Sequence, residues 1–444
     1  MSIFTVLRHS GALFVLIFFE HGAAFAAAAD SQYAQLPADV KVDGALVTLM
    51  SISIMGGQSI FIESDGRFAP DGKPLAKVEL QMDSVSIGNS AVIDWRHSLY
   101  PVEHSFNVIA AVTPTSGVHR IRLIASSSSG YYYIGSGTNL SVVAKPATTV
   151  TQSTLSTNAG PYSFNLKDIQ PGMPVPFSAV LENDINVPSI ASGQPLVVLA
   201  SGRSYAGSAY GDALWGLWLD GTGERNKYSS WSDNDLNIKS ELQAPMFVHG
   251  YVPNQSGGTH SVVLGATALP YPPSSSSDSV NYHIGETTSL VTLYGGMTVK
   301  GSAPLNDDKN NLIPYICVGT NQGWPACPSV GTDVVIDQAT FSVPKTHNGI
   351  VFFTAKSRVQ GGVSDIGGNV FFWLTLDGRR VGSTGVQSLR THDGVSTRTI
   401  CASYLATGAA ALAAGTHTVQ LHAMAQGSFI HLALTMDLPL MWFD

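Results

Sequence analysis

Three histidines recur in one sequence context and are the first residues to consider for chemistry. The skeleton G-x-H-x-[IV]-x-L-x-A occurs at residues 117–125, 258–266 and 415–423 and contains His119, His260 and His417. An imidazole can act as a general base or a metal ligand near neutral pH. The three copies lie in separate parts of the chain, however, so they meet in one site only if the units fold around an axis. We expect structural histidines, hydrogen-bonded where a strand begins, and predict no metal site and no catalytic residue.

Acidic residues precede these histidines at similar distances. Asp220-Gly221 and Asp377-Gly378 each begin 38 residues before the first glycine of the skeleton, and the counterpart in the first copy, Asp83-Ser84, begins 34 residues before Gly117. Asp and Gly suit tight turns, so we interpret the pairs as turns that follow strands. Two carboxylates from distant strands could still approach each other as in glycosidases, and this alternative stays open.

Cysteine and aromatic residues supply the remaining candidates. Cys317 and Cys327 enclose nine residues, and in an exported protein they are expected to form a disulfide. Cys401 is then left over as a buried thiol. Strand alternation places Tyr131 and Tyr133 on the face opposite Tyr132, and two tryptophans fall in predicted loops. Aromatic rings suit contact with sugars or proteins, and the candidate binding residues are therefore Tyr131, Tyr133, Trp231 and Trp324.

The elements that must position these residues are strands. Apolar residues alternate with polar ones over short runs, as in Val419, Leu421 and Ala423 against Thr418, Gln420 and His422. Gly, Asn, Asp and Ser separate the runs, and the same order of parts occurs three times. The pattern predicts an all-β protein of three tandem antiparallel β-sandwich domains, jelly-roll-like in type.

The predicted units follow from where the repeated parts begin and end. They are the ranges 1–28 (signal peptide), 40–146 (first sandwich), 147–174 (linker or opening strand), 175–300 (second sandwich), 301–332 (linker with the possible disulfide) and 333–444 (third sandwich). One segment conflicts with local propensity: the alanine run from Ala402 to Ala414 favours a helix. The repeat instead predicts a strand followed by a loop, and we follow the repeat.

The strand pair that carries the repeat resembles known modules. Leu374-Thr375-Leu376-Asp377-Gly378, followed by residues 412–421 (LAAGTHTVQL), resembles the jelly-roll and carbohydrate-binding sandwich modules of secreted proteins. The likeness covers the core strands of each unit, about a third of the chain, and similar strands occur in bacterial immunoglobulin-like modules. The resemblance implies a non-catalytic binding or display role and identifies no ligand.

The composition and the first residues of the chain indicate where the protein is located and which partners it can have. Arg8, the apolar run Leu13–Phe19 and Ala24-Phe25-Ala26 have the pattern of a secretory signal, and no later run suits a membrane span. The formal charge is −8 with no basic cluster, which argues against nucleic acid. We therefore expect a secreted, periplasmic or cell-surface protein without a cofactor.

The leading hypothesis for function is a non-catalytic protein that binds a glycan or an envelope protein. No phosphate-binding loop, H-E-x-x-H, C-x-x-C or G-x-S-x-G motif occurs in the sequence. The alternatives are a structural component of an extracellular assembly and a carbohydrate-active enzyme. The sequence does not determine the oligomeric state.

Overall fold

The protein is described from a computed structural model. The described residues are 31–44, 46–96, 103–164, 178–189, 193–206, 211–221, 230–234, 243–270, 280–300, 315–318, 332–343, 347–361, 368–389, 401–426, 430–437 and 440–443. The predicted signal peptide therefore lies outside them. All of the secondary-structure elements among these residues are β-strands.

The described residues form thirty strands in three sets of ten. The first set is β1 (Ser31–Gln35), β2 (Val40–Asp43), β3 (Val47–Met55), β4 (Ile60–Asp71), β5 (Leu75–Met82), β6 (Val85–Asp94), β7 (His104–Val112), β8 (Val118–Ser127), β9 (Tyr131–Ile134) and β10 (Asn139–Ala144). The second set is β11 (Thr149–Thr154), β12 (Ala159–Phe164), β13 (Ser178–Val187), β14 (Gln194–Ala206), β15 (Gly211–Leu219), β16 (Ser230–Asn234), β17 (Gln243–Gln255), β18 (Gly258–Pro270), β19 (Val280–Ile284) and β20 (Ser289–Tyr294). The third set is β21 (Met297–Lys300), β22 (Tyr315–Val318), β23 (Val334–Val343), β24 (His347–Gly361), β25 (Gly368–Leu376), β26 (Arg379–Leu389), β27 (Cys401–Leu412), β28 (Gly415–Gln426), β29 (Ile430–Asp437) and β30 (Leu440–Phe443).

The strands of each set pair in the same order. In the first unit one sheet runs β1-β10-β4-β7 and the other β3-β8-β5-β6, with all pairs antiparallel. The second and third units repeat both orders with their own strands. This is the pairing of a jelly roll, in which eight strands form two packed sheets, and here each unit adds a short ribbon such as β2-β9. The predicted fold, three tandem antiparallel sandwiches, is confirmed.

Alternation along the strands explains why two sheets form in each unit. Val419, Leu421 and Ala423 of β28 are fully buried, as the pattern predicts, and the first unit has its own core around Phe68, Trp95 and other apolar residues. Burying one large apolar side chain stabilises a fold by about 1.5–3 kcal/mol. Because each unit contains many such residues, each sandwich has its own apolar interior.

The alanine-rich segment is a strand. β27 spans Cys401–Leu412 and pairs along its length with β24, so the prediction based on the repeat is confirmed over the intrinsic helix preference. Tertiary pairing outweighs propensity here because a strand in this position completes the sheet of the third unit.

The outer strands of the units differ from the ranges expected from the sequence. β1 precedes residue 40 and pairs with β10, and β21 lies before residue 301 but pairs with β30. β11 and β12 fall in the segment 147–174 and pair with β20 and β19, in agreement with the alternative that this segment opens the second unit. The segment 301–332, predicted as a linker, contains β22, which pairs with β29. The first strand of each unit pairs with its last one, so nothing local in the sequence marks where a unit begins.

The three units pack on one another in a closed cycle. Strand β6 of the first unit lies against β14 and β17 of the second, β16 of the second against β27 of the third, and β26 of the third against β4 and β7 of the first. The last contact includes one register pair, Gln387 with His104. A separate apolar cluster lies mainly between the first two units and contains Phe61 and Ile109 together with Val197, Leu199 and Phe247. The chain therefore has a core between its sandwiches in addition to those within them.

A second repeated pattern, not recognised in the sequence, surrounds two glycines. A Cβ on Gly66 would lie 2.2 Å from Oγ1 of Thr138, and a Cβ on Gly202 would lie 2.2 Å from Oγ1 of Thr288. Each threonine donates its hydroxyl to the carbonyl three residues before it, that of Gly135 or Gly285. Only glycine fits at these two strand positions, because the neighbouring chain approaches so closely.

Candidate functional site

Each of the three repeated histidines forms the same pair with an aspartate of its own unit. The Nδ1 atom of His119 lies 2.6 Å from Oδ2 of Asp83. The corresponding distance is 2.7 Å between His260 and Asp220 and 2.7 Å between His417 and Asp377. The Nε2 atom of each histidine faces the backbone carbonyl oxygen of the residue four positions earlier. The distance is 2.8 Å to Thr115, 2.8 Å to Ser256 and 3.0 Å to Ala413. We call each arrangement a histidine clamp.

The backbone holds the aspartate of each clamp. The second carboxylate oxygen of the aspartate accepts a hydrogen bond, 2.8–3.0 Å long, from the backbone amide of the residue after the histidine. The donors are Arg120, Ser261 and Thr418. The backbone φ angle is 49° at Asp83 and 50° at Asp220 and Asp377. Asp tolerates this left-handed conformation better than most residues do. The clamp thus ties the turn after one strand to the start of its neighbour, and the expectation of turns and of histidines bonded at strand starts is confirmed.

The partners of each imidazole determine its charge. A carbonyl oxygen and an ionised carboxylate are both acceptors, so these two partners favour the imidazolium form, in which both ring nitrogens carry hydrogen. Hydrogen bonds to the aspartate and then to the carbonyl raise the pKa of His119 and of His417. Burial opposes ionisation of His260, but its bonds to Asp220 and Ser256 outweigh it and raise its pKa.

A clamp of this kind is poorly suited to proton transfer. Both imidazole nitrogens are engaged, so neither offers a lone pair to a substrate, and a general base needs one. The bonds to His417 and Thr418 also lower the pKa of Asp377, and those to Arg120 and His119 lower that of Asp83. The clamps therefore hold the fold through their hydrogen bonds.

Two carboxylates lie close together in the first unit, but they are not accessible. Glu63 and Asp65 occupy alternate positions of β4, on one face, and are only 1% and 2% exposed. The amide of Asn107 donates to Glu63 Oε1 at 2.6 Å, and that of Asn139 donates to Asp65. Burial and these two carboxylates raise the pKa of Tyr33. A polysaccharide chain could not reach this pair, so it does not serve as a glycosidase site.

The predicted binding residues have different positions. Tyr131 and Tyr133 are partly exposed on β9, and Tyr132 between them is buried, as alternation predicts. Trp231 lies in strand β16 rather than in a loop, a correction that pairing with β15 explains and that the polar local sequence concealed. Trp324 and Cys327 lie outside the described residues. Cys317 lies in β22, and the disulfide stays a prediction.

A polar cluster on the third unit was not recognised in the sequence. His422 bonds Asp333 at 2.7 Å and Thr375 at 3.0 Å, and its ring stacks on Trp373 with centroids 5.5 Å apart. The guanidinium of Arg380 lies 5.3 Å from the ring centroid of the same tryptophan. Burial is the main cause that lowers the pKa of Arg380, and repulsion from the positive charge of Arg67 in the first unit lowers it further. These contacts join β25, β26 and β28 with Asp333, the residue before β23.

The described residues contain no helix with the length and apolar character needed to cross a membrane. No group of three or more His, Cys, Asp or Glu side chains in the described ranges is arranged to hold a metal ion.

Comparison with known proteins identifies no family for this chain. No protein-family model and no curated protein matches the chain. Among solved structures it is similar to the atomic structure of Sulfolobus turreted icosahedral virus, with 9% identity and a TM-score of 0.19 over 90% of this chain and 96% of that one. It is also similar to the stem and receptor-binding domain of the spike protein P1 from bacteriophage PM2, with 11% identity and a TM-score of 0.16 over 67% and 96% of the two chains. Likeness at this level supports no conclusion about fold or function.

Proposed function

We propose that this chain is an exported, non-catalytic protein that binds a surface ligand, a glycan or an envelope protein, on a rigid block of three sandwiches. The observation that carries the proposal is that, among the described residues, the repeated histidines and one pair of neighbouring carboxylates, both suited to catalysis, are committed to the fold. The histidines form clamps, and the paired carboxylates Glu63 and Asp65 are buried. The exposed loops and strand edges are left for recognition, which is how sandwich folds commonly carry function.

Packing between the units supports a display role. The cycle of contacts and the shared apolar cluster hold three sandwiches in one arrangement. A buried network reinforces it, because Asn89 donates to Ser201 at 3.0 Å and Ser90 bonds Thr287 at 2.8 Å. A rigid scaffold presents its surface residues at lower entropic cost than a flexible array of domains does.

The experiment uses the purified full chain in two parallel assays. One measures binding to a glycan array and to immobilised envelope extracts, and the other measures reducing-sugar release from mixed polysaccharides. We expect specific binding and no release above that of heat-denatured protein. Reducing ends that accumulate in proportion to the protein would show an enzyme, and blank results in both binding assays would contradict the proposal. Sequencing the amino terminus of the chain recovered from a secreting host tests export, with cleavage expected near residue 28.

A second candidate function is a structural component of an extracellular assembly. It is favoured by apolar side chains at one end of the first unit. Met55 and Val118 are register partners and are 48% and 70% exposed, and Val85, at the start of β6 in the same sheet, is 67% exposed. Exposed apolar groups of this kind suit contacts between proteins. Light scattering over a concentration series tests this function: association that Val118→Ser weakens would support it, and a monomer at every concentration would exclude it.

A further inference from the structure

The outer face of β9 carries an ordered set of exposed side chains. Tyr131 lies between Asp43 of β2 and Asp71 of β4, and Tyr133 lies between Lys41 and Ala69 in the same two strands. Cross-strand neighbours project from the same face of a sheet, so these residues share one surface. We call Lys41, Asp43, Asp71, Tyr131 and Tyr133 the tyrosine surface.

The two aromatic rings have a defined geometry. Their centroids are 6.0 Å apart and their planes meet at 86°, an edge-to-face contact, and both side chains are partly exposed. Tyr132 between them points the other way, and its hydroxyl donates to the carbonyls of Lys77 and Ser126 at 3.0 Å each. This buried anchor ties β9 to the opposite sheet, so the outer rings are presented by a fixed strand.

Charged groups surround the rings and are themselves held in place. The ammonium of Lys41 lies 3.8 Å from the ring centroid of Tyr131 and 3.2 Å from Asp43 Oδ2. A hydrogen bond with Asp71 is the main cause that raises the pKa of the Tyr131 hydroxyl. Aromatic faces and carboxylate oxygens are thus arranged before any ligand arrives, which lowers the cost of binding.

The surface does not recur in the second unit. Ile134 and Ile284 hold equivalent places, because they pair with Phe68 and Ser204 in the corresponding strands. Asn281 and His283 therefore stand where the first unit has Tyr131 and Tyr133. A feature needed only for the sandwich would recur with the strand that bears it, so this difference favours a role specific to the first unit.

The chemistry of the surface selects a ligand class. A pyranose ring has an apolar C–H face that packs on an aromatic ring, and its hydroxyls donate to carboxylates. Two aspartates outweigh the single lysine, which is already paired with Asp43, so the surface repels sulfated or carboxylated sugars. We infer that the tyrosine surface binds a neutral hexopyranose residue of a glycan. This inference rests on the proposed binding function.

The test measures binding of neutral and uronate-containing oligosaccharides to the full chain by calorimetry. We expect the neutral set to bind, Tyr133→Ala to weaken binding about tenfold or more, and Tyr133→Phe, which keeps the ring, to retain most of it. Tyr132→Phe is the matched control. It removes the buried hydroxyl from the same strand, so it should lower the melting temperature but leave binding intact.

The outcomes separate this inference from the proposed function. Binding of neutral glycans that Tyr131→Ala and Tyr133→Ala leave unchanged, with both variants folded by circular dichroism, would overturn the tyrosine surface and leave the binding function standing. Preference for uronates over neutral sugars would overturn the stated ligand class. Absence of any glycan binding, with capture of a protein instead, would overturn the inference while the envelope-protein form of the function survived.

Discussion

The Nδ1 atom of His417 lies 2.7 Å from the Oδ2 atom of Asp377, and this contact joins the turn after β25 to the start of β28. The same pair occurs in the other two units with nearly the same length. A contact that recurs with its backbone partners in three sandwiches of different sequence serves the fold, because the surrounding side chains differ while the geometry stays.

Removing the carboxylate of a clamp should destabilise its unit. Asp220→Ala removes the acceptor of Nδ1 in His260, which is 7% exposed, and the acceptor of the Ser261 amide, so we expect the free energy of unfolding to fall by about 1–3 kcal/mol. Asp220→Asn should cost less, because the amide oxygen still accepts and Asn tolerates the positive φ. Urea denaturation measures both variants. Asp184→Ala on the exposed side of β13 is the control, and equal losses in the two alanine variants would contradict the prediction.

The clamp of the third unit should make stability depend on pH in a stated direction. The pKa of His417 is raised, so its contribution is complete below the unfolded value of about 6.5 and is lost as the pH rises through the folded value. The pKa of Asp377 is lowered, so its contribution is present above about 3.9 and is lost as the pH falls through the folded value. The difference in unfolding free energy between the wild type and His417→Gln should therefore be largest between about pH 4 and 6.5. A difference that grows above pH 8 would refute this sign.

His104 should act in the opposite sense. Burial lowers its pKa to about 4, and its ring lies 6.5 Å from that of Trp95, where β7 meets β26 of the third unit. The unfolded chain takes up this proton first, so stability falls between about pH 6.5 and 4 by at most about 3 kcal/mol. His104→Gln should flatten this part of the stability curve, measured by thermal unfolding at each pH. An unchanged acid slope in the variant would show that other groups control it.

Asn89 should couple the first two units. It is 1% exposed, donates to Ser201 of the second unit and to the carbonyl of Asn107, and accepts from the amide of Ile109 at 2.6 Å. Asn89→Ala removes these bonds inside a buried interface, so we expect a loss of about 1–3 kcal/mol and a broader or divided calorimetric transition. Ser86→Ala, exposed on the same strand, should change neither. A sharp, single transition in Asn89→Ala at the wild-type temperature would contradict the coupling.

Much of the candidate site could be anticipated because its signals are local. Alternation placed Tyr131 and Tyr133 opposite Tyr132, since successive strand residues face opposite sides. The spacing of 38 residues between each Asp-Gly turn and the repeated skeleton is a local signal of the contact between aspartate and histidine, but the contact itself is visible only in the fold. The polar neighbours of Trp231 predict a loop, and only its pairing with β15 reveals a strand.

The sequence by itself determined that the chain is all-β, that its sandwich motif occurs three times and which residues of each strand face the core. These follow from alternation and repetition, which neighbouring residues carry. Tertiary structure alone decided that Asp377 bonds His417, that Glu63 and Asp65 are buried, and that the units close into a cycle. Such relations join residues far apart in the chain, and their free energy depends on distance and burial, which only the folded arrangement defines.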